Sequence, residues 1–91
     1  MIRYARSEQF RKSYNALPAE IQEKAKKAFS LFKDNRNHPS LGVKKIKGTQ
    51  DIWEGRIDLF YRFTFRYYKD EKGDLICQFL NIGPHSIVEQ Q

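Results

Sequence analysis

Apolar positions recur at helical spacing in the first third of the chain and at strand spacing in its second half. Phe10, Tyr14 and Leu17 stand at i, i+4 and i+7, the stripe of an amphipathic helix of about ten residues. Ser7 precedes it as an N-cap, and Glu8 puts an acid in the first turn, where the helix dipole favours it. Pro18 ends this helix and opens a second one, because a proline suits the start of a helix and not its interior. Ile21, Ala25, Ala28, Phe29 and Phe32 carry the second stripe to Phe32 or Lys33. Leu17-Pro18 is thus the corner of a helical hairpin. Glu20 with Lys24, and Glu23 with Lys27, form i,i+4 pairs on its outer face and read as solvated scaffold.

Residues 34–40 are loop by composition, with Asn35, Asn37, Pro39 and Ser40 crowding out any period. Short strands follow. The pattern predicts one over 41–47 carrying Lys44, Lys45 and Lys47 and closed by Gly48, one over 52–59, one over 60–68, a turn containing Gly73, and a last long strand over 75–82 ended by Gly83-Pro84. The tail 85–91 can start a helical turn, and Ile2, Arg3 and Tyr4 alternate as an edge strand would. Two helices followed by consecutive strands on short connections predict an α+β fold, an antiparallel sheet with the helical hairpin on one face.

Strand parity then sorts the side chains. Tyr61, Phe63, Phe65 and Tyr67 share one face, and Arg62, Thr64 and Arg66 the other. Trp53, Gly55, Ile57 and Leu59 likewise oppose Glu54, Arg56 and Asp58. The aromatic face should cover the helices, and Arg56, Arg62 and Arg66 should share an outward, cationic face suited to phosphate.

Length and composition narrow this further. The 91 residues form one domain, 1–91, since a chain of this size buries only roughly 60–65% of its unfolded surface and holds a single core. A two-domain enzyme with its own cofactor fold is excluded, and an apolar fraction of 40% with 14% aromatic residues excludes a disordered basic tail. Cys77 has no disulfide partner and no Cys/His cluster has zinc spacing, so a reducing cytoplasm and a cofactor-free, metal-free chain are expected. No signal-peptide core or membrane-length apolar run is present. The net charge is +6, and it is uneven: residues 1–50 carry 12 Lys and Arg against 4 acids, residues 51–91 carry 5 against 7. The basic half suits nucleic acid, an acidic protein partner or an anionic surface without choosing among them.

The residues with chemical capacity each have a plain alternative. Lys44, Lys45 and Lys47 are either edge-blocking charges or polyanion contacts. Arg56 and Arg62 are either paired with Glu54 and Asp58 or planar phosphate donors. His85 follows a strand-ending break and is either a surface residue or an acid–base group for neutral pH. His38, before Pro39, reads as a loop residue. Trp53 is either packing or a stacking platform for a base.

The ordered set Phe10-Arg11-Lys12, Leu17-Pro18, Val43-Lys44-Lys45-Ile46-Lys47-Gly48, Ile52-Trp53-Glu54-Gly55-Arg56-Ile57, Tyr61-Arg62-Phe63 and Ile82-Gly83-Pro84-His85 resembles the RelE/ParE superfamily of type II toxin–antitoxin toxins, nearest its YafQ-like and RelE-like mRNA interferases. The resemblance spans nearly the whole chain. It implies a cytoplasmic, metal-independent endoribonuclease that cuts mRNA in the ribosomal A site by attack of a ribose 2'-OH, together with a cognate antitoxin as partner. It assigns Arg56 to the transition-state phosphate, Arg62 to a second phosphate contact or a structural brace, and His85 to the general acid. The lysines occupy the region of the family's catalytic lysines; Lys47 is assigned to the chemistry, Lys44, Lys45, Trp53 and Arg66 to RNA or ribosome binding, and Glu54 is a further candidate base. Ser86 follows His85 where several members carry an aromatic residue. The alternatives are a non-catalytic, gyrase-directed toxin of the ParE type, and a basic RNA- or antitoxin-binding module that does not cleave.

Overall fold

The structure, a computed structural model, describes residues 2–90. Strand β1 (Ile2–Arg6) leads into helices α1 (Glu8–Asn15) and α2 (Ala19–Asp34), and a short 3-10 turn (Pro39–Leu41) then precedes β2 (Lys44–Lys45), β3 (Trp53–Arg56), β4 (Tyr61–Lys69) and β5 (Leu75–Pro84). A second 3-10 segment, His85–Gln90, follows β5, so the predicted terminal turn is present as far as the description extends; Gln91 lies outside it. The sheet order is β1-β5-β4-β3-β2. β2 through β5 are antiparallel, as expected, whereas β1 pairs parallel to β5, with Ile2 opposite Leu75 and Arg6 opposite Phe79. The sheet is therefore mixed. A parallel neighbour is possible here because the whole of α1, α2 and the other strands serves as the crossover between β1 and β5.

Local chemistry sets the helix boundaries. The Ser7 hydroxyl accepts from the Phe10 N–H at 3.0 Å and donates to the Leu80 carbonyl at 2.8 Å, so one side chain both caps α1 and ties it to β5. The Gln22 amide donates to the Tyr14 carbonyl at 2.8 Å and closes the hairpin corner at Pro18. Phe10 on α1 and Ala25, Ala28 and Phe32 on α2 enter the core beside Phe63, Phe65, Cys77, Phe79 and Ile82 of the sheet. Phe63 is fully buried, and the rings of Phe29, Phe32, Phe65 and Phe79 lie 5.2–5.8 Å from its own, within the range of favourable aromatic packing. Burial pushes the Cys77 thiol up to about 11, partly offset by Tyr67 and Arg36, which leaves it an inert core residue.

Three strand boundaries differ from the sequence reading. The lysine strand shrinks to Lys44–Lys45 because the preceding residues form the 3-10 turn and Gly42 takes a left-handed φ of 51°. β3 stops at Arg56, since Asp58 organises a turn in place of further strand. β5 runs through Gly83-Pro84; beyond Phe79 it has lost its β1 neighbour, so the proline's missing N–H interrupts no ladder on that side.

A bulge supplies what simple alternation lacks. Thr64 pairs with Asn81 and Phe65 with Phe79, so Leu80 is an extra residue on β5. The parity of β5 changes there, and Ile82 reaches the same core as Cys77 and Phe79. No described helix is long and apolar enough to cross a membrane.

At Gly55 strand β3 leaves no room for a side chain against β4. A Cβ placed on Gly55 would collide with Cζ of the opposed Phe63 ring. Gly55→Ala must displace a fully buried ring, and a loss of about 2 kcal/mol is expected from overpacking, read as a lowered urea midpoint in equilibrium unfolding.

Candidate active site

The strand register gathers some of the chemically capable residues at one end of the sheet. Arg56 lies opposite Arg62, and Arg62 opposite Gly83. In the adjacent row Tyr61 lies opposite Pro84, and beyond it the His85 N–H donates to the Phe60 carbonyl at 2.7 Å. Arg56, Arg62 and the start of His85–Gln90 thus meet at the same sheet end. Lys44 is paired with Glu54 and so shares the face of Arg56, a diagonal cross-strand neighbour at roughly 7–8 Å. Among the described residues, Arg56, Lys44 and His85 are exposed and have neither an ion pair nor a side-chain hydrogen bond.

The Arg56 side chain lies over a glycine. Its guanidinium lies across Gly42, with Nη2 3.4 Å from where a Cβ would stand. That separation is ordinary van der Waals contact, so it is the positive φ that favours glycine at 42. Arg56 also borders a hollow of about 260 Å³ that Lys24, Lys27 and Ser40 share.

Arg62 has a different environment, and the two roles foreseen for it can be compared directly. Its side chain is 13% exposed, and Nη1 donates to the carbonyls of Asp58, Leu59 and Tyr61 at 2.7, 3.2 and 3.1 Å, while Nε stands 3.9 Å from Glu54. These contacts fit the brace better than a free phosphate donor. Asp58 completes the brace: its Oδ1 accepts from the N–H groups of Phe60 and Tyr61 at 2.8 and 2.9 Å, and its Oδ2 meets Lys24 at 3.4 Å. Desolvation alone would raise the Asp58 pKa, but the two N–H donors and Lys24 outweigh it and hold the carboxyl below its ordinary value.

The remaining predicted residues lie elsewhere. Lys47 is exposed beyond Ile46, whose N–H donates to Ile52; it is five residues past Gly42, the neighbour of Arg56, or roughly 16 Å along an extended chain. The structure does not bring Lys47 to Arg56 and His85, and Lys44 is the nearer lysine. Lys45, opposite Trp53, is on the helix-side face. Trp53 is partly buried there, with the Arg36 guanidinium 4.8 Å from its ring centroid, so it lies on the face opposite the arginines. Arg66 is toward the other end of β4, donates to Gln78 at 2.9 Å and covers Tyr68. Glu54 is 6% exposed beneath Arg62. His38 accepts from the Ser40 N–H and caps the 3-10 turn.

The outward face is also less open than parity suggests. Thr64 is fully buried with no hydrogen-bond partner for its hydroxyl, and the segment His85–Gln90 folds back so that Ile87 would stand 2.9 Å from a Cβ on Gly83. Alternation assigns a face and says nothing of what later covers it. Two organising roles escaped the sequence reading, which took Asp58 only as an ion-pair partner for an arginine. Asp58 is signalled only by the Asp-x-x turn pattern inside an apolar run. Arg36, which donates to the Tyr67 hydroxyl at 3.1 Å and lies over Trp53 and Tyr67, carries no local signal.

No protein-family model and no curated protein matches the sequence. The solved structures answer differently. YafQ from E. coli strain BL21(DE3) superposes with a TM-score of 0.74 at 12% identity, covering 97% of this chain and 98% of that one. The chain has the fold of the RelE, YoeB and YafQ toxins. A YoeB/ParE toxin from Agrobacterium tumefaciens matches at 0.71 and 16% identity over 91% and 98% of the two chains. The RelB–RelE antitoxin–toxin complex from Methanococcus jannaschii matches at 0.65 and 17% over 94% and 95%. The resemblance in ordered motifs and the likeness in three dimensions therefore coincide at the level of the toxin fold.

Two predictions test the brace. Arg62→Lys keeps the charge and loses the fork, so amide exchange at Phe60 and Tyr61 should accelerate and stability fall by about 1–2 kcal/mol. Asp58 has a lowered native pKa, so its contribution is present above its ordinary value of 3.8 and is lost as the pH falls through the lowered native value. The stability gap between wild type and Asp58→Asn should accordingly be full at pH 6 and close below pH 4 in urea titrations.

Proposed function

We propose that this chain is the toxin of a type II toxin–antitoxin system, an endoribonuclease that cuts mRNA on the ribosome. The observation that carries this reading is the register that sets Arg56 at the sheet end from which His85 departs, with Lys44 its diagonal neighbour on the same face, all three exposed and unpaired. The toxin fold supports it. In the proposed reaction a ribose 2'-hydroxyl gives its proton to solvent water as its oxygen bonds to the adjacent phosphorus, while the P–O5' bond breaks, giving a 2',3'-cyclic phosphate and a free 5'-OH. Arg56, lying flat on Gly42, presents a planar pair of donors to the phosphorane oxygens. His85 protonates the departing 5' oxygen. Lys44 is placed to attract the phosphate and lower the cost of ionising the 2'-OH, in preference to the more distant Lys47; Arg62 holds the loop that fixes this end. Lys45, Arg66 and the basic helices add to the field that draws RNA.

An antitoxin partner belongs to the same reading. In the Methanococcus jannaschii complex the RelE chain is bound to an antitoxin, RelB. A groove of about 550 Å³ between β1 and the helices has aromatic walls of Tyr4, Phe10, Tyr14, Phe29 and Phe79 and a rim of Arg6, Lys26 and Lys33. Its chemistry suits an acidic segment with apolar anchors.

Arg56→Ala and His85→Ala should each lower ribosome-bound mRNA cleavage by at least about 100-fold, measured by primer extension on a translated message, with far-UV spectra and antitoxin binding unchanged. Undiminished cleavage by both variants would refute the site. Gyrase inhibition in a supercoiling assay without RNA cleavage would refute the nuclease reading in favour of a gyrase-directed toxin.

A further inference from the structure

The turn between β3 and β4 combines a fixed backbone with exposed apolar side chains. Leu59 and Phe60 are 76% and 72% exposed, the two most exposed large hydrophobic residues among the described residues. Their backbone is held at every step. The Asp58 carboxylate takes the N–H groups of Phe60 and Tyr61, Arg62 takes the carbonyls of Asp58 and Leu59, and the Phe60 carbonyl takes the His85 N–H. Lys24 ties the same carboxylate to α2. Such a turn contributes nothing to the core through Phe60, yet it fixes that residue's backbone against the backbone of His85, at the sheet end where Arg56 stands.

We propose that Phe60, flanked by Leu59, stacks on the nucleobase next to the phosphate held by Arg56 and His85, and so sets which nucleotide is accepted at the cut. The inference rests on the nuclease reading above. Charge selects the occupant. The carboxylate nearest the ring, Asp58, is neutralised by Lys24 and two N–H donors, and the unpaired groups nearby are Arg56 and His85. A ligand must therefore present an apolar face and an anion close together. A nucleotide in a single strand has both, because its base and its phosphate are joined through one ribose. The hydrogen bond from the His85 backbone N–H to the Phe60 carbonyl keeps the two residues adjacent. Phe60 has only two side-chain torsions to fix, so ordering it on binding costs little.

The test uses the full chain and ribosomes programmed with short synthetic messages in which the nucleotide on each side of the cut is replaced in turn by an abasic residue. Single-turnover rates are measured for wild type, Phe60→Ala and Phe60→Trp, with folding checked by thermal melts. Wild type should cut one abasic message about 5- to 100-fold more slowly than its parent, the range expected for one stacked base. Phe60→Ala should slow the parent message by a similar factor and no longer distinguish the two, while Phe60→Trp should retain both rate and distinction. If Phe60→Ala still distinguishes them, or if its only defect is weakened capture of the antitoxin, stacking is overturned and the nuclease reading stands. If wild type cuts no message, both fall.

Discussion

The Phe63 ring lying across Gly55 is the contact on which the rest of the molecule depends. With no side chain at 55, β3 can press flush against β4, and the ring occupies the space between sheet and helices that Phe29, Phe32 and Phe79 close from the other sides. Close-packed interiors tolerate little displacement. That single approach therefore fixes the β3–β4 register, and the register in turn decides that Arg56 faces Arg62 and that both stand in the rows leading to His85. The site residues make no contact with one another in the core; they inherit their positions from it.

Surrounding that contact are devices that each join two elements with one residue. Ser7 caps α1 and holds the bulged carbonyl of Leu80. Arg36 secures the segment after α2 by lying over Trp53 and Tyr67, a cation–π arrangement worth roughly 1–2 kcal/mol where partly desolvated. Arg62 and Asp58 together fold the β3–β4 turn. A domain with so small a core has little interior to spare, and these side chains supply order at its margins.

The helices were legible because a 3.6-residue stripe bounded by Ser7 and Pro18 admits no other reading. β4 was legible for the same reason at period two. What could not be read were the events that break a period. Leu80 as an extra residue inverts the parity of β5, and nothing in its neighbours distinguishes it from an ordinary strand residue. Asp58 ends β3 through bonds to N–H groups two and three residues ahead, where composition alone continues the strand. In the site, parity put Arg56 and Arg62 on one face, but their relation to His85 depended on the β3–β4–β5 register, and the burial of Glu54 on Arg62 lying above it. The parallel pairing of β1 was equally hidden, because a short alternating segment specifies a strand and not its partner.

That parallel pairing ties the first strand to the last, with Ser7 and Leu80 joined across 73 residues. During synthesis β1 emerges from the ribosome long before any surface exists for it to pair with, and loop closure over such a separation is slow. The edge strand is completed only when β5 has been released, and β5 leads directly into His85. Closure of the sheet and the arrival of His85 are thus nearly the same event, and a nascent chain interrupted before it has an open sheet edge.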